Sequence, residues 1–250
     1  TTLDKVLFRE LAMLRVVDRE QASLITGRRN VSVSTCNAWL LKLCRVGLLK
    51  RFFIATELGG LKALYSLTAK SAALVSSPLR PLQRSNDSVM ISDPFVQHQL
   101  AVNAVILQLK CSESPIPDVR FRRWMSFPQS ISPAVPLTPD AYIEFAFKET
   151  LHPVFCEVDR GTETQTVWKK KIALYIRLAI GGDFPRVFGQ ERFRVIVVAE
   201  SERRLAQIRK TVASQTEKIF WFSTLKNINQ KGFFASHWLR PAAEASQAFL

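Results

Sequence analysis

Residues 138–175 constrain this chain more than any other stretch. In the run 139–147, Ala141, Ile143, Phe145 and Phe147 recur at every second position, which puts them on one face of a strand. Asp140, at its start, then belongs to the opposite face. A second apolar run, 154–159, places Phe155, Glu157 and Asp159 on a common face. Gly161 permits a sharp turn, and Thr162 is a credible N-cap for a helix opening near Glu163 and carrying Lys169, Lys170 and Lys171. Lys171 and Tyr175 are four residues apart and share a helix face, which directs Lys171 back toward the strand ends.

If Asp140 faces Glu157 and Asp159 from the neighbouring strand, three carboxylates converge. Such groups repel and raise one another's pKa unless a cation joins them, and a hard divalent ion such as Mg²⁺ or Mn²⁺ is the simplest choice. Each residue alone has a plainer explanation, since acidic strand ends and lysine-rich helix faces are commonly just solvated. The ordered set carries the argument.

That set resembles the PD-(D/E)xK nuclease superfamily, with Pro139-Asp140 as the first element and Glu157-Val158-Asp159 as the second. The run CEVDRGTET followed by KKKIALY is similar to the replication-relaxation family of plasmids and other mobile elements, and the likeness covers nearly the whole chain. His98 and Asn103 resemble a further pattern of that family. The resemblance implies a winged helix joined to a nuclease-like domain. It further implies catalytic roles for Asp140, Glu157, Asp159 and Lys171, with the three acids as ligands to Mg²⁺ or Mn²⁺ and Lys171 positioning the nucleophile. Two departures count against cleavage: Asp159 stands where the superfamily places Lys, and Gln97 and Gln99 stand where an additional helix acid is common.

The N-terminal third reads as three helices, 3–17, 18–26 and one opening at Ser32 or Ser34 and stopping at Gly47. Strand-like runs 48–55 and 61–67 flank Gly59-Gly60 as a hairpin, and Thr68 caps a closing helix. This is the order of a winged helix-turn-helix, in which the third helix enters the major groove and the hairpin touches the backbone. Arg28, Arg29, Asn30, Ser32, Ser34, Thr35 and Asn37 then lie near DNA, with Lys50, Arg51 and Lys62 on the wing. Residues 1–80 hold thirteen Lys and Arg against five Asp and Glu, so +8 of the chain's +14 sits where a DNA reader needs it. The same fold is also used for protein contacts.

The remainder reads as a linker rich in Ser, Pro, Arg and Asn, a helix from about Asp93, and strands and helices alternating to the end. Arg122, Arg123 and Trp124 form a basic, aromatic strand that either meets nucleic acid or packs at a sheet edge, and the Pro- and Ser-rich loop through Pro136 reads as a flap or surface loop. The expected organisation is a winged helix-turn-helix domain over 1–78, a linker over 79–90 and a PD-(D/E)xK-like α/β domain over 91–250. Cys36, Cys44, Cys111 and Cys156 lack zinc-site spacing and fit reduced thiols in a cytoplasmic protein, and no apolar run is long enough to span a membrane.

The first functional reading is a DNA-binding protein of a mobile element, acting in plasmid replication, relaxation, transfer or transposition, whose second domain, if active, is a metal-dependent endonuclease. Its partners are double-stranded DNA and a relaxase, replication or transposition protein, and its apolar content leaves room for a homodimer interface. The second is a non-catalytic accessory factor or transcriptional regulator that uses the nuclease fold as a scaffold. A third, a basic ribosome-associated protein, has no RNA-recognition motif behind it.

Overall fold

The computed structural model describes residues 1–56, 59–80, 82, 84–112 and 114–250, and most of its element ends coincide with local capping signals. The chain is mixed α/β, with two mixed sheets and nine α-helices among the described residues. It divides into two compact units, 1–107 and 108–250.

In the first unit, Thr1 caps α1 (Thr2–Leu14) in a reciprocal box with Asp4, and the helix buries Leu7, Phe8, Leu11 and Leu14 along one stripe. The chain then forms β1 (Val17–Asp18), and the Asp18 carboxylate accepts the Gln21 N–H at 2.8 Å to start α2 (Arg19–Ile25). Ser32 accepts the Thr35 N–H to start α3 (Val33–Arg45). The hairpin strands β2 (Leu49–Ala55) and β3 (Leu61–Leu67) pair antiparallel from Leu49 opposite Leu67, and Thr68 caps α4 (Ala69–Leu74). A short strand β4 (Val89–Met90) runs parallel to β2, giving the order β1-β3-β2-β4.

The first unit extends past the expected 79–90 linker. Leu82 is buried in a cluster with Val16, Phe52, Ile54, Leu64 and Val96, and β4 joins the sheet. Linker residues 81 and 83 lie outside the described residues. Helix α5 (Pro94–Cys111) is tied to this unit by the fully buried Asn103, whose amide donates to the carbonyls of Leu14 at 3.1 Å and Val16 at 2.6 Å. Gln21 adds a 2.9 Å bond to the Leu100 carbonyl. Polar anchors, unreadable from periodicity, therefore help tie α5 to this unit.

The second unit begins with β5 (Val119–Met125), β6 (Ala141–Phe147) and β7 (Thr150–Asp159), which pair antiparallel. Helix α6 (Gln165–Ile180), followed by the short α7 (Asp183–Phe188), crosses over to β8 (Arg194–Ala199), which lies parallel to β7. Helix α8 (Glu202–Ala213) makes the second crossover, to β9 (Phe220–Thr224), and α9 (Leu225–Lys231) follows. The order is β5-β6-β7-β8-β9. Trp168, Ile172 and Tyr175 of α6 and Leu205, Ile208 and Val212 of α8 pack in one cluster with Phe155, Val195 and Val197, so both helices cover the same sheet face. Burying each large side chain there contributes about 1.5–3 kcal/mol. Phe233, Phe234 and Phe249 pack on Phe145, on the opposite face.

Three local expectations change. The cap of α6 is Thr164 rather than Thr162, because Thr164 accepts the Val167 N–H, and this leaves Glu163 outside the helix. The loop expected as a flap or surface loop contributes to the core: Val135 and Leu137 are buried, and the Ile131 N–H bonds the Leu137 carbonyl at 2.9 Å. Strand β6 is buried on both faces, so its alternation does not separate core from solvent. Among the described residues no helix is long and apolar enough to cross a membrane.

Candidate functional site

Strand β7 holds Glu157 and Asp159 against α6, as their shared strand face requires. Glu157 is 1% exposed and each of its oxygens has a donor: Lys171 Nζ at 2.8 Å on Oε2 and the Tyr175 hydroxyl at 2.5 Å on Oε1. The spacing of Lys171 and Tyr175 on one helix face puts both donors on the same carboxylate. Lys171 also reaches Glu163 Oε1 at 2.6 Å, which the position of Glu163 ahead of the helix allows. Asp140, just before β6, turns Oδ2 back to accept the Val158 N–H at 2.7 Å.

Burial raises the Glu157 pKa, Lys171 pulls it down and the neighbouring Asp140 charge lifts it again; the result is about 7. Lys171 is also held above its ordinary value: burial opposes its charge, but Glu157 and Glu163 together outweigh that.

Asp159 is committed elsewhere. The Arg204 guanidinium forks onto it with Nε and Nη2 each 2.7 Å from a carboxylate oxygen, the Trp168 indole N–H donates at 2.8 Å, and the Gly161 N–H donates at 2.6 Å. Gly161 has φ +83, which suits it to the turn that brings its N–H back. Burial alone would raise the Asp159 pKa, yet Arg204, Trp168 and Gly161 hold it below the usual carboxylate range.

The four residues expected to act together are therefore divided. Lys171 joins Glu157 beside Asp140, while Asp159 joins Arg204. A hard divalent ion needs several oxygen ligands at once. Among the described residues no group of three or more His, Cys, Asp or Glu gathers to hold one. The donor set does not fit Mg²⁺ or Mn²⁺ in this arrangement, because the chain's own Lys171 and Arg204 supply the positive charge that converging carboxylates require. Sequence reasoning missed Arg204 and Glu163 as partners, and nothing in the local pattern connects Arg204 to a strand forty-five positions earlier.

In the first unit, the α3 face carries exposed Ser34, Thr35 and Asn37, and Arg29 and Asn30 are exposed just before it. Ser32 is spent as the cap, and Arg28 lies over the Trp39 ring at 4.4 Å. On the hairpin, Lys62 pairs with Asp18 at 2.7 Å, Arg51 pairs with Asp87 at 2.5 Å, and Lys50 is half-buried. A cleft of about 520 Å³ brings Asn37, Ala38 and Leu41 of α3 together with Arg51, Leu61 and Lys62 of the hairpin. In the second unit, Arg123 forks onto Glu144 with two 2.6 Å bonds, and the Tyr142 hydroxyl bonds the same carboxylate, while Arg122 is exposed. Gln99 bonds Asn103, the anchor of α5.

The family model described as replication-relaxation matches residues 8–189. No curated protein and no solved structure matches the chain.

Proposed function

The chain belongs to the replication-relaxation family, and from that premise we propose that it is a DNA-binding protein serving the replication or transfer of a mobile genetic element. In this reading α1 to α4 form a winged helix-turn-helix, with α3 directed into the major groove and the β2–β3 hairpin against the backbone. The observation that carries the reading is the cleft shared by Asn37, Arg51 and Lys62, which joins a base-reading amide to two cations. Asp18 and Asp87, which pair with Lys62 and Arg51, would exchange for phosphates on binding.

The second unit is then a PD-(D/E)xK-like scaffold whose acidic centre is neutralised from within. It offers a surface for a relaxase, a replication or transposition protein, or a second copy of the chain. Binding to a randomised duplex pool in EDTA tests the reading: enrichment of particular sequences, weakened by Asn37→Ala, is the expected result. No enrichment, or preference for structured RNA, overturns it.

One observation favours the other reading, a metal-dependent endonuclease: Lys171 contacts Glu157 from the helix that follows the strand, which is what a displaced active-site lysine requires. For a divalent ion to bind there, Glu157 must first give up Lys171 or Tyr175. Mg²⁺- or Mn²⁺-dependent nicking of supercoiled plasmid, lost in Glu157→Ala, would establish it.

A further inference from the structure

A groove of about 450 Å³ runs between α6 and α8. Gln165 and Lys169 line it from α6, and Gln207, Lys210 and Ser214 from α8. None of its lining residues is acidic. The other cations of these helices that face inward have partners: Lys171 holds Glu157 and Glu163, Arg204 at the groove's end holds Asp159, and Arg209 donates to the carbonyls of Arg240 and Ala243. Lys169 and Lys210 are exposed and form no ion pair among the described residues.

Two facing helices can match opposite charges across their seam. Here two like charges share one cleft, which concentrates positive potential and favours an anionic occupant. Gln165 and Gln207 add amide side chains of the kind that bond phosphate oxygens, while the Ser214 hydroxyl donates to the Thr211 carbonyl at 2.8 Å. The floor, Trp168 and Ile208, is 1% exposed at each residue, so it gives a protein partner no apolar anchor of the sort that dominates protein interfaces. The second unit holds 21 Lys and Arg against 14 Asp and Glu, a net +7, equal to that of the first unit.

We propose that the α6–α8 groove is a second nucleic-acid contact surface, taking the phosphate backbone of duplex DNA through Lys169 and Lys210. This rests on the DNA-binding reading of the first unit.

The test is the salt dependence of duplex affinity for the wild-type chain, for Lys169→Gln/Lys210→Gln, and for a control, Lys226→Gln/Lys231→Gln, that removes two exposed cations of α9. Each phosphate contact contributes about 0.9 to the slope of log affinity against log salt. The groove variant should therefore lose about 1.8 from the slope, with unchanged melting temperature, while the control keeps the wild-type slope. An unchanged slope in the groove variant, or an equal loss in both variants, overturns the inference while leaving the first unit's reading intact. Retention of polyglutamate that the groove variant abolishes, with the DNA slope unchanged, overturns it in favour of an acidic protein segment. A wild-type chain that binds no duplex overturns both readings.

Discussion

Lys171 and Glu157 form a 2.8 Å ion pair between α6 and β7, and the carboxylate, 1% exposed, is completed by the Tyr175 hydroxyl. Both carboxylate oxygens are thereby taken up by donors of α6. The pair turns an acidic centre into a connection between helix and sheet.

Removing one partner strands the other. Above about pH 7, where Glu157 is ionised, Lys171→Met leaves it buried beside Asp140 without its cation, and the expected cost there is about 3–5 kcal/mol in urea unfolding. Lys171→Met/Glu157→Gln should recover most of that loss, because the fully buried charge is gone and only the part-exposed Glu163 loses a partner. Equal destabilisation in the single and double variants would contradict the pairing.

The same carboxylate sets a pH dependence. With a folded pKa near 7 against an ordinary 4.5, Glu157 keeps a proton in the folded state that the unfolded chain releases. Its contribution to stability is full below about pH 4.5 and is lost as pH rises through about 7. Melting curves of wild type and Glu157→Gln between these values should differ in slope, with the wild type declining more steeply. Parallel curves would show that Glu157 ionises normally.

Asp159 behaves oppositely. Its pKa is held below the ordinary value, so its contribution is present at neutral pH and is lost as pH falls through the folded pKa. Arg204→Ala should cost about 3 kcal/mol at pH 7, since it leaves a buried carboxylate with only Trp168 and Gly161. The loss should shrink in strong acid, and a loss independent of pH would mean that Arg204 acts through packing alone.

Asn103 offers a test of the first unit. Asn103→Leu abandons the carbonyls of Leu14 and Val16, each buried polar group costing about 1–3 kcal/mol. Hydrogen exchange in α1 and β1 should accelerate together with α5. Acceleration confined to α5 would contradict its role as the anchor.

For DNA recognition, Asn37→Ala should relax base preference by about 1–3 kcal/mol at one position. Lys62→Ala should weaken all sequences alike and lower the salt slope by about 0.9. Competition among selected duplexes at two salt concentrations separates the two effects.

Much of this was legible in the sequence where the signal is local. Asp18, Ser32 and Thr68 each cap the helix their position indicates, and the hairpin strands pair within a residue of the expected ends. The turn of Lys171 back toward the strand followed from helix spacing, but its partners are Glu157 and Glu163 rather than a cluster of three carboxylates. What was not legible depends on distant partners. Arg204 takes up Asp159, and Asn103 ties α5 to the first unit; neither side chain carries a periodic signal for its contact. The short α7 escaped because its aromatic residues, Phe184 and Phe188, join a core assembled from six other elements.

The most direct measurement is duplex affinity of the wild-type chain in EDTA and in Mg²⁺, followed by fluorescence anisotropy with the strands recovered and sized afterward. The account predicts binding in EDTA at least as tight as in Mg²⁺, and intact strands in both. Binding that requires Mg²⁺, or strands shortened in its presence and intact in EDTA, would contradict an acidic centre neutralised by Lys171 and Arg204.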